Sequence, residues 1–311
     1  MADAPALLSA HGLDAYALLT TDRALAQAPD LARGAEAVVY VPEGWVDEVS
    51  AKVRPQVGGR AIVALGGGRV VDTAKAIAGA DGTPVAAVAT TLSGAEMTRF
   101  HRSPAGAENA RLVRPSLVVA DSSLMASQPM PGIAASALNA LAHAVEALYA
   151  PLANPVASMA ALRGAHLIAG GLSGDEPVRR DLALGALLAG YASGQTGYAF
   201  HHVLCQTTVR LAGTPHAETN AVVLPHSVRF MTDRAPGEIS RLARTLGDAD
   251  AAATVARLTE KTGVTTLREL GVVEGQVDEI VAAAAGRAEV RNTPRPPGPG
   301  ELRALMLQAL G

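Results

Sequence analysis

The chain has 311 residues, 49% of them apolar and 18% charged, with a formal net charge of −3. That balance excludes a disordered chain and, with no basic stripe, a nucleic-acid-binding surface. No uncharged apolar run of about 18 residues is available to span a membrane. A single cysteine, Cys205, leaves no internal disulfide framework and fits a reducing compartment. The first residues lack the charged start and apolar core of a secretory signal, so a soluble cytoplasmic protein is expected.

Taken in chain order, short apolar runs at 16–20, 37–41, 61–65, 85–89 and 117–120 read as buried strands. Amphipathic pieces such as 46–54 and 70–80 lie between them. Strands alternating with helices predict an α/β domain over residues 1–128, built on a parallel sheet covered on both faces. The character of the chain changes at Gln128-Pro129-Met130-Pro131-Gly132. Beyond it, alanine- and leucine-rich stretches at 133–149, 156–169, 178–193 and 239–246 predict an all-helical domain over 129–311. Pro151 and Asn154-Pro155 stop the first of these helices near Tyr149. Residues 292–300 form a proline-rich loop, and a last helix runs over 301–310.

Two turns of the first domain carry nucleotide chemistry. Gly66, Gly67 and Gly68 follow a strand and open a helix that holds Asp72 and Lys75. Glycines let a ligand approach the backbone, and a helix N-terminus offers unpaired N–H groups to a pyrophosphate. A tight strand-to-helix turn without a ligand could be written the same way. Thr90, Thr91 and Ser93 follow the next strand, placing hydroxyls at the carboxyl edge of the sheet, where nucleotides bind and where plain polar loops also occur. Asp22, after the first strand, is either a ribose acceptor that disfavours a 2′-phosphate or a helix cap. In the helical domain Asn139 and His143 are four apart and share a helix face, while His202 and His216 are fourteen apart. Such spacing suits a shared metal or proton-transfer site, although eight histidines give some coincidence.

Together these pieces resemble the iron-containing alcohol dehydrogenases, and among them the maleylacetate reductases. The resemblance rests on Gly66 to Gly68 with Asp72 and Lys75, on Thr90-Thr91 and on Ser93-Gly94-Ala95-Glu96-Met97-Thr98. It continues through Asn139-Ala140-Leu141-Ala142-His143-Ala144-Val145-Glu146, His201-His202 and Pro215-His216-Ala217-Glu218. It implies a Rossmann-like dinucleotide-binding domain and a helical domain of dehydroquinate synthase-like fold. It also implies an interdomain cleft for NAD(H) or NADP(H), and hydride transfer to a carbonyl or an activated alkene. Cofactor contacts are then expected from Asp22, Gly66, Gly67, Gly68, Asp72, Thr90, Thr91 and Ser93. Catalysis would fall to His143, His202 and His216, one of them protonated as general acid.

Asn139 and Gln206 would lie by the substrate. Arg99, His101 and Arg102 would meet a substrate carboxylate, unless they form a solvated loop. Three positions depart from the family pattern. Asn139 replaces the usual metal-binding aspartate, Gln206 a histidine, and Arg69 the serine of the glycine turn. A neutral amide balances a dication poorly, so no metal is expected; were one bound, its ligands would be Asn139, His143, His202 and His216. The expected protein is a metal-free, homodimeric NAD(P)H-dependent reductase of an anionic keto or unsaturated acid. Two alternatives stay open: a metal-dependent (Fe or Zn) alcohol or aldehyde dehydrogenase, and a non-redox lyase, cyclase or binding protein on the same fold.

Overall fold

The computed structural model describes residues 3–311. Contacts divide the chain into one compact unit ending at Ser127 and a second from Gln128 to Gly311. The first contains α1 (Ala4–Ala10), β1 (Tyr16–Thr20), α2 (Asp22–Gln27), α3 (Asp30–Arg33), β2 (Ala35–Tyr40) and α4 (Val46–Val57). It continues with β3 (Ala61–Gly66), α5 (Gly68–Asp81), β4 (Val85–Ala89), β5 (Leu117–Val119) and α6 (Ser122–Met125).

The strands pair in the order β2-β1-β3-β4-β5, and every pairing is parallel. Successive side chains of a strand point to opposite faces, and the core divides accordingly. Ala17, Leu19, Ile62, Ala64, Val85 and Ala87 pack with Val49, Val53, Val71 and Ile77 from α4 and α5. Leu18, Val63, Leu65, Ala86 and Val88 pack with Leu8, Leu31 and Leu124 on the other face. This two-sided burial explains why β1 and β4 read as unbroken apolar runs. By contrast, β2 lies at the edge, alternates in burial and exposes Val38 and Tyr40. The first unit is Rossmann-like, with its topological switch between β1 and β3, where open α/β sheets bind ligands.

The second unit is all-helical. It comprises α7 (Met130–Tyr149), α8 (Pro155–Gly171), α9 (Arg179–Thr196), α10 (Phe200–Ala212) and α11 (His216–Met231). Next come α12 (Pro236–Leu246), α13 (Ala251–Glu260), α14 (Val277–Ala285) and α15 (Pro299–Leu310). Helix α7 is buried almost all round, with α8, α9 and α11 against it, as its alanine-rich sequence allows. Helices α8 and α9 come into close backbone contact at Gly164 and Gly185. A Cβ on Gly185 would stand 3.0 Å from the Gly164 carbonyl and 2.9 Å from Ile168.

Helix α11 runs through Pro225, which has no N–H to give the Ala221 carbonyl four residues back. The Thr259 hydroxyl of α13 donates to that carbonyl at 3.1 Å, and the helix continues. Among the described residues no helix is long and apolar enough to cross a membrane.

Candidate active site

In the first unit the two turns meet at the carboxyl edge of the sheet. Gly67 is the N-cap of α5 and has no side chain of its own to cap it. The Thr90 N–H donates to the Gly66 carbonyl at 3.0 Å. A Cβ on Gly67 would lie 2.8 Å from Thr91 Cγ2, and one on Gly68 3.3 Å from Ser93 Oγ. The missing side chains therefore let the threonine–serine turn fold onto a helix N-terminus of 14 residues. The N–H groups of a helix N-terminus, its dipole and the neighbouring hydroxyls suit a pyrophosphate, so these residues fit a dinucleotide. Asp22 opens α2 at the end of β1 and is exposed. The cap is Thr21, whose hydroxyl accepts from the Ala24 N–H at 3.3 Å, so the capping alternative falls to its neighbour.

Asp72 is engaged with the fully buried Lys75 at 2.7 Å. The Lys75 ammonium also donates to the carbonyls of Ala95 (2.9 Å), Thr98 (3.2 Å) and Phe100 (2.7 Å). A buried cation survives only with such partners, and this one pins the loop after the second turn. Beside it Glu96 is fully buried, and neither carboxyl oxygen has a hydrogen-bond partner. Burial pushes its pKa up to about 7, against the attraction of Lys75.

Of the residues expected to meet a carboxylate, Arg99 and Arg102 are exposed. His101 is a staple instead. Its Nε2 accepts from the Val113 N–H at 3.2 Å, so Nδ1 carries the proton and donates to the Arg102 carbonyl at 3.0 Å. Both ring nitrogens are committed to backbone, and burial lowers the ring's pKa. That leaves His101 no donor for a substrate.

In the second unit Asn139, His143 and Glu146 recur at helical spacing along one side of α7. The His143 and His202 rings stack with centroids 4.0 Å apart and planes 12° apart. His202, on α10, is fully buried, and its Nδ1 lies 2.6 Å from Glu146 Oε2. The other carboxyl oxygen accepts the backbone N–H groups of His201 (2.8 Å) and His202 (3.4 Å), so Glu146 caps α10 from a neighbouring helix. With Nδ1–H directed to Glu146, the Nε2 lone pair of His202 is the end left for chemistry, and it has no partner here.

Burial, with the nearby His216, pushes His202 down to about 3. That shift favours the neutral ring at His202. His216 opens α11 and is exposed; its Nε2 is 3.3 Å from the Asn220 amide nitrogen. Gln206, one turn beyond His202, accepts from Arg287 at 2.8 Å.

The family's metal is poorly accommodated. Two rings stacked 4.0 Å apart have lone pairs in nearly parallel planes. Imidazole binds a metal along its in-plane lone pair, and parallel stacked rings do not turn both lone pairs toward one point between them. Asn139 offers no negative charge. Among the described residues no three His, Cys, Asp or Glu side chains are grouped to hold a metal ion.

Sequence reasoning gave no functional role to Lys75, Glu96, Glu146, Tyr198 or Arg287. The helical repeat 139–143–146 was the available signal for Glu146, and the i, i+3 pair 72–75 for Lys75. Nothing local points to Tyr198 or Arg287.

The family described as "Iron-containing alcohol dehydrogenase" matches residues 4–129, and "Fe-containing alcohol dehydrogenase family, C-terminal" matches 133–310. Maleylacetate reductase 1 of Rhodococcus opacus is 38% identical over 242 residues, 74% of this chain and 68% of that protein. The crystal structure of maleylacetate reductase from Agrobacterium tumefaciens superposes with a TM-score of 0.86 at 29% identity, covering 99% of this chain and 93% of that one. Sulfoacetaldehyde reductase from Bifidobacterium kashiwanohense, solved with NAD+, shares the fold at 20% identity, with a TM-score of 0.81 and coverage of 99% and 94%. The chain therefore belongs to the iron-containing alcohol dehydrogenase family, and it is an oxidoreductase of the maleylacetate reductase-like kind.

Proposed function

We propose that the protein is an NAD(P)H-dependent reductase of an anionic keto or unsaturated acid, working without a metal ion. The reading is carried by one observation: His202 is oriented by Glu146 and stacked on His143 beside a neutral Asn139. That is the construction of a proton-handling site. It is not that of a cation cage.

The reduced nicotinamide, when bound, supplies the hydride. Gly66, Gly67, Gly68, Thr90, Thr91 and Ser93 are the proposed seat of its pyrophosphate, and Asp22 of its ribose. Asp72 acts there through Lys75. Hydride arriving at a carbonyl carbon leaves an alkoxide, and at an activated alkene an enolate; either anion collects one proton. His202 Nε2 handles that proton. Because burial favours the neutral ring here, the proton enters through the exposed His216. His143 and Asn139 line the same side of α7 and help hold the anion. Working as a homodimer and a cytoplasmic location belong to the same reading. The second agrees with a single, buried, free cysteine.

The test is a titration of NADH and NADPH fluorescence on metal-analysed protein, followed by reduction of maleylacetate and related keto acids with and without a chelator. Saturable binding and chelator-resistant turnover are expected. Turnover abolished by the chelator and restored by Fe2+ or Zn2+ would overturn the metal-free reading, and no cofactor binding would overturn the reductase itself.

A further inference from the structure

Beyond the histidines, the second unit holds a polar cluster that the mechanism above does not use. Arg287 follows the end of α14 and reaches α10. Its Nη1 donates to Gln206 Oε1 at 2.8 Å, and its Nη2 to the Tyr198 hydroxyl and to Glu289 Oε1, each at 3.0 Å. Tyr198 passes its own proton to Glu289 Oε1 at 2.9 Å. The cluster borders the histidine site through two of its members. Gln206 lies one turn beyond His202 on α10, and the Tyr198 ring centroid is 6.1 Å from that of His202.

A guanidinium has five N–H donors, and three are used here, leaving two without a protein partner. The side chain is 27% exposed, and Glu289 35%. A half-open, rigidly held fork with spare donors has the form of a carboxylate receptor. We propose that Arg287, oriented by Gln206 and Tyr198, binds a carboxylate of the substrate beside His202. The assignment rests on the anionic-substrate reading above and makes it more specific: the residue that selects an acid is Arg287, rather than the Arg99–Arg102 loop.

The cluster also gives Gln206 a physical reason. A carboxamide oxygen accepts from arginine at every pH, whereas a histidine at that position would repel the guanidinium whenever it was protonated. Glu289 stays ionised. Burial raises its pKa, but the bonds from Arg287 and Tyr198 outweigh that and leave it lowered. It balances Arg287 while no substrate is bound, and it competes with an incoming carboxylate.

Two measurements on wild type, Arg287→Gln, Gln206→Leu and Glu289→Gln test this. The first is steady-state reduction of a keto dicarboxylate and of its uncharged diamide. The second is the thermal shift given by an unreactive dicarboxylate, which needs no turnover. Removing charge-assisted bonds should raise KM for the diacid by roughly 10- to 100-fold in R287Q. KM for NADH and for the diamide should stay within about two-fold, and the thermal shift should vanish. Q206L, which keeps the charge but frees the fork, should raise the diacid KM less, and E289Q should lower it. Equal losses on both substrates, or an unchanged diacid KM and thermal shift in R287Q, would overturn the proposal. A wild type that binds dicarboxylates through Arg287 but reduces none would sustain this inference and refute the reductase. A wild type that neither binds nor reduces them would refute both.

Discussion

Replacing Glu96 with glutamine isolates the energetic effect of one buried carboxyl. Its pKa stands at about 7 instead of 4.5, because burial penalises the charged form more than Lys75 favours it. The folded state therefore holds the proton more tightly than the unfolded chain. The associated stability is complete below pH 4.5, falls as pH rises toward 7, and is level above that. At about 1.4 kcal/mol per tenfold change in proton affinity, the loss amounts to about 3 kcal/mol. Glutamine copies the shape of the protonated acid without titrating. Glu96→Gln should thus be near neutral at pH 4.5 and more stable than wild type by about 3 kcal/mol at pH 8. The only tryptophan, Trp45, precedes α4, so its fluorescence during urea unfolding reports on the first unit. A stability difference that stays constant between pH 4.5 and 8 would refute the argument. So would one that grows toward acid.

Glu146→Gln should cost about 1–3 kcal/mol, because the amide cannot accept every N–H that the carboxylate holds. It should also lower kcat at least about 100-fold by releasing the His202 tautomer, while NADH affinity changes less than about three-fold; a stopped assay and a fluorescence titration read the two effects separately. Gly185→Ala should destabilise the second unit by about 1–3 kcal/mol in thermal unfolding, because its Cβ meets Ile168 and the Gly164 carbonyl at 2.9–3.0 Å.

The sheet was legible because each strand is a short apolar run closed by turn residues. Tyr16–Thr20 and Val85–Ala89 have the bounds the pattern predicts. Helices α10 and α11 were harder to see. Histidines, threonines and a proline interrupt their apolar period, and the threonine that rescues Pro225 lies 38 residues away from the carbonyl it serves. The glycine turn and the histidines stand out locally because their chemistry is uncommon. Their supports do not: Glu146 meets His202 across 56 residues, and Arg287 meets Gln206 across 81. Spacing also cannot reveal that His202 is buried enough to lose its charge, or that His101 spends both nitrogens on backbone.

The burial of Lys75 makes the protein its own unfolding gauge. The chain has three lysines: Lys52 is exposed, Lys261 half-buried and Lys75 sealed. An amine-reactive reagent should modify Lys52 at once but reach Lys75 only in molecules whose first unit has opened. The ratio of the two labelling rates, read from one peptide digest, measures the free energy of that opening under native conditions.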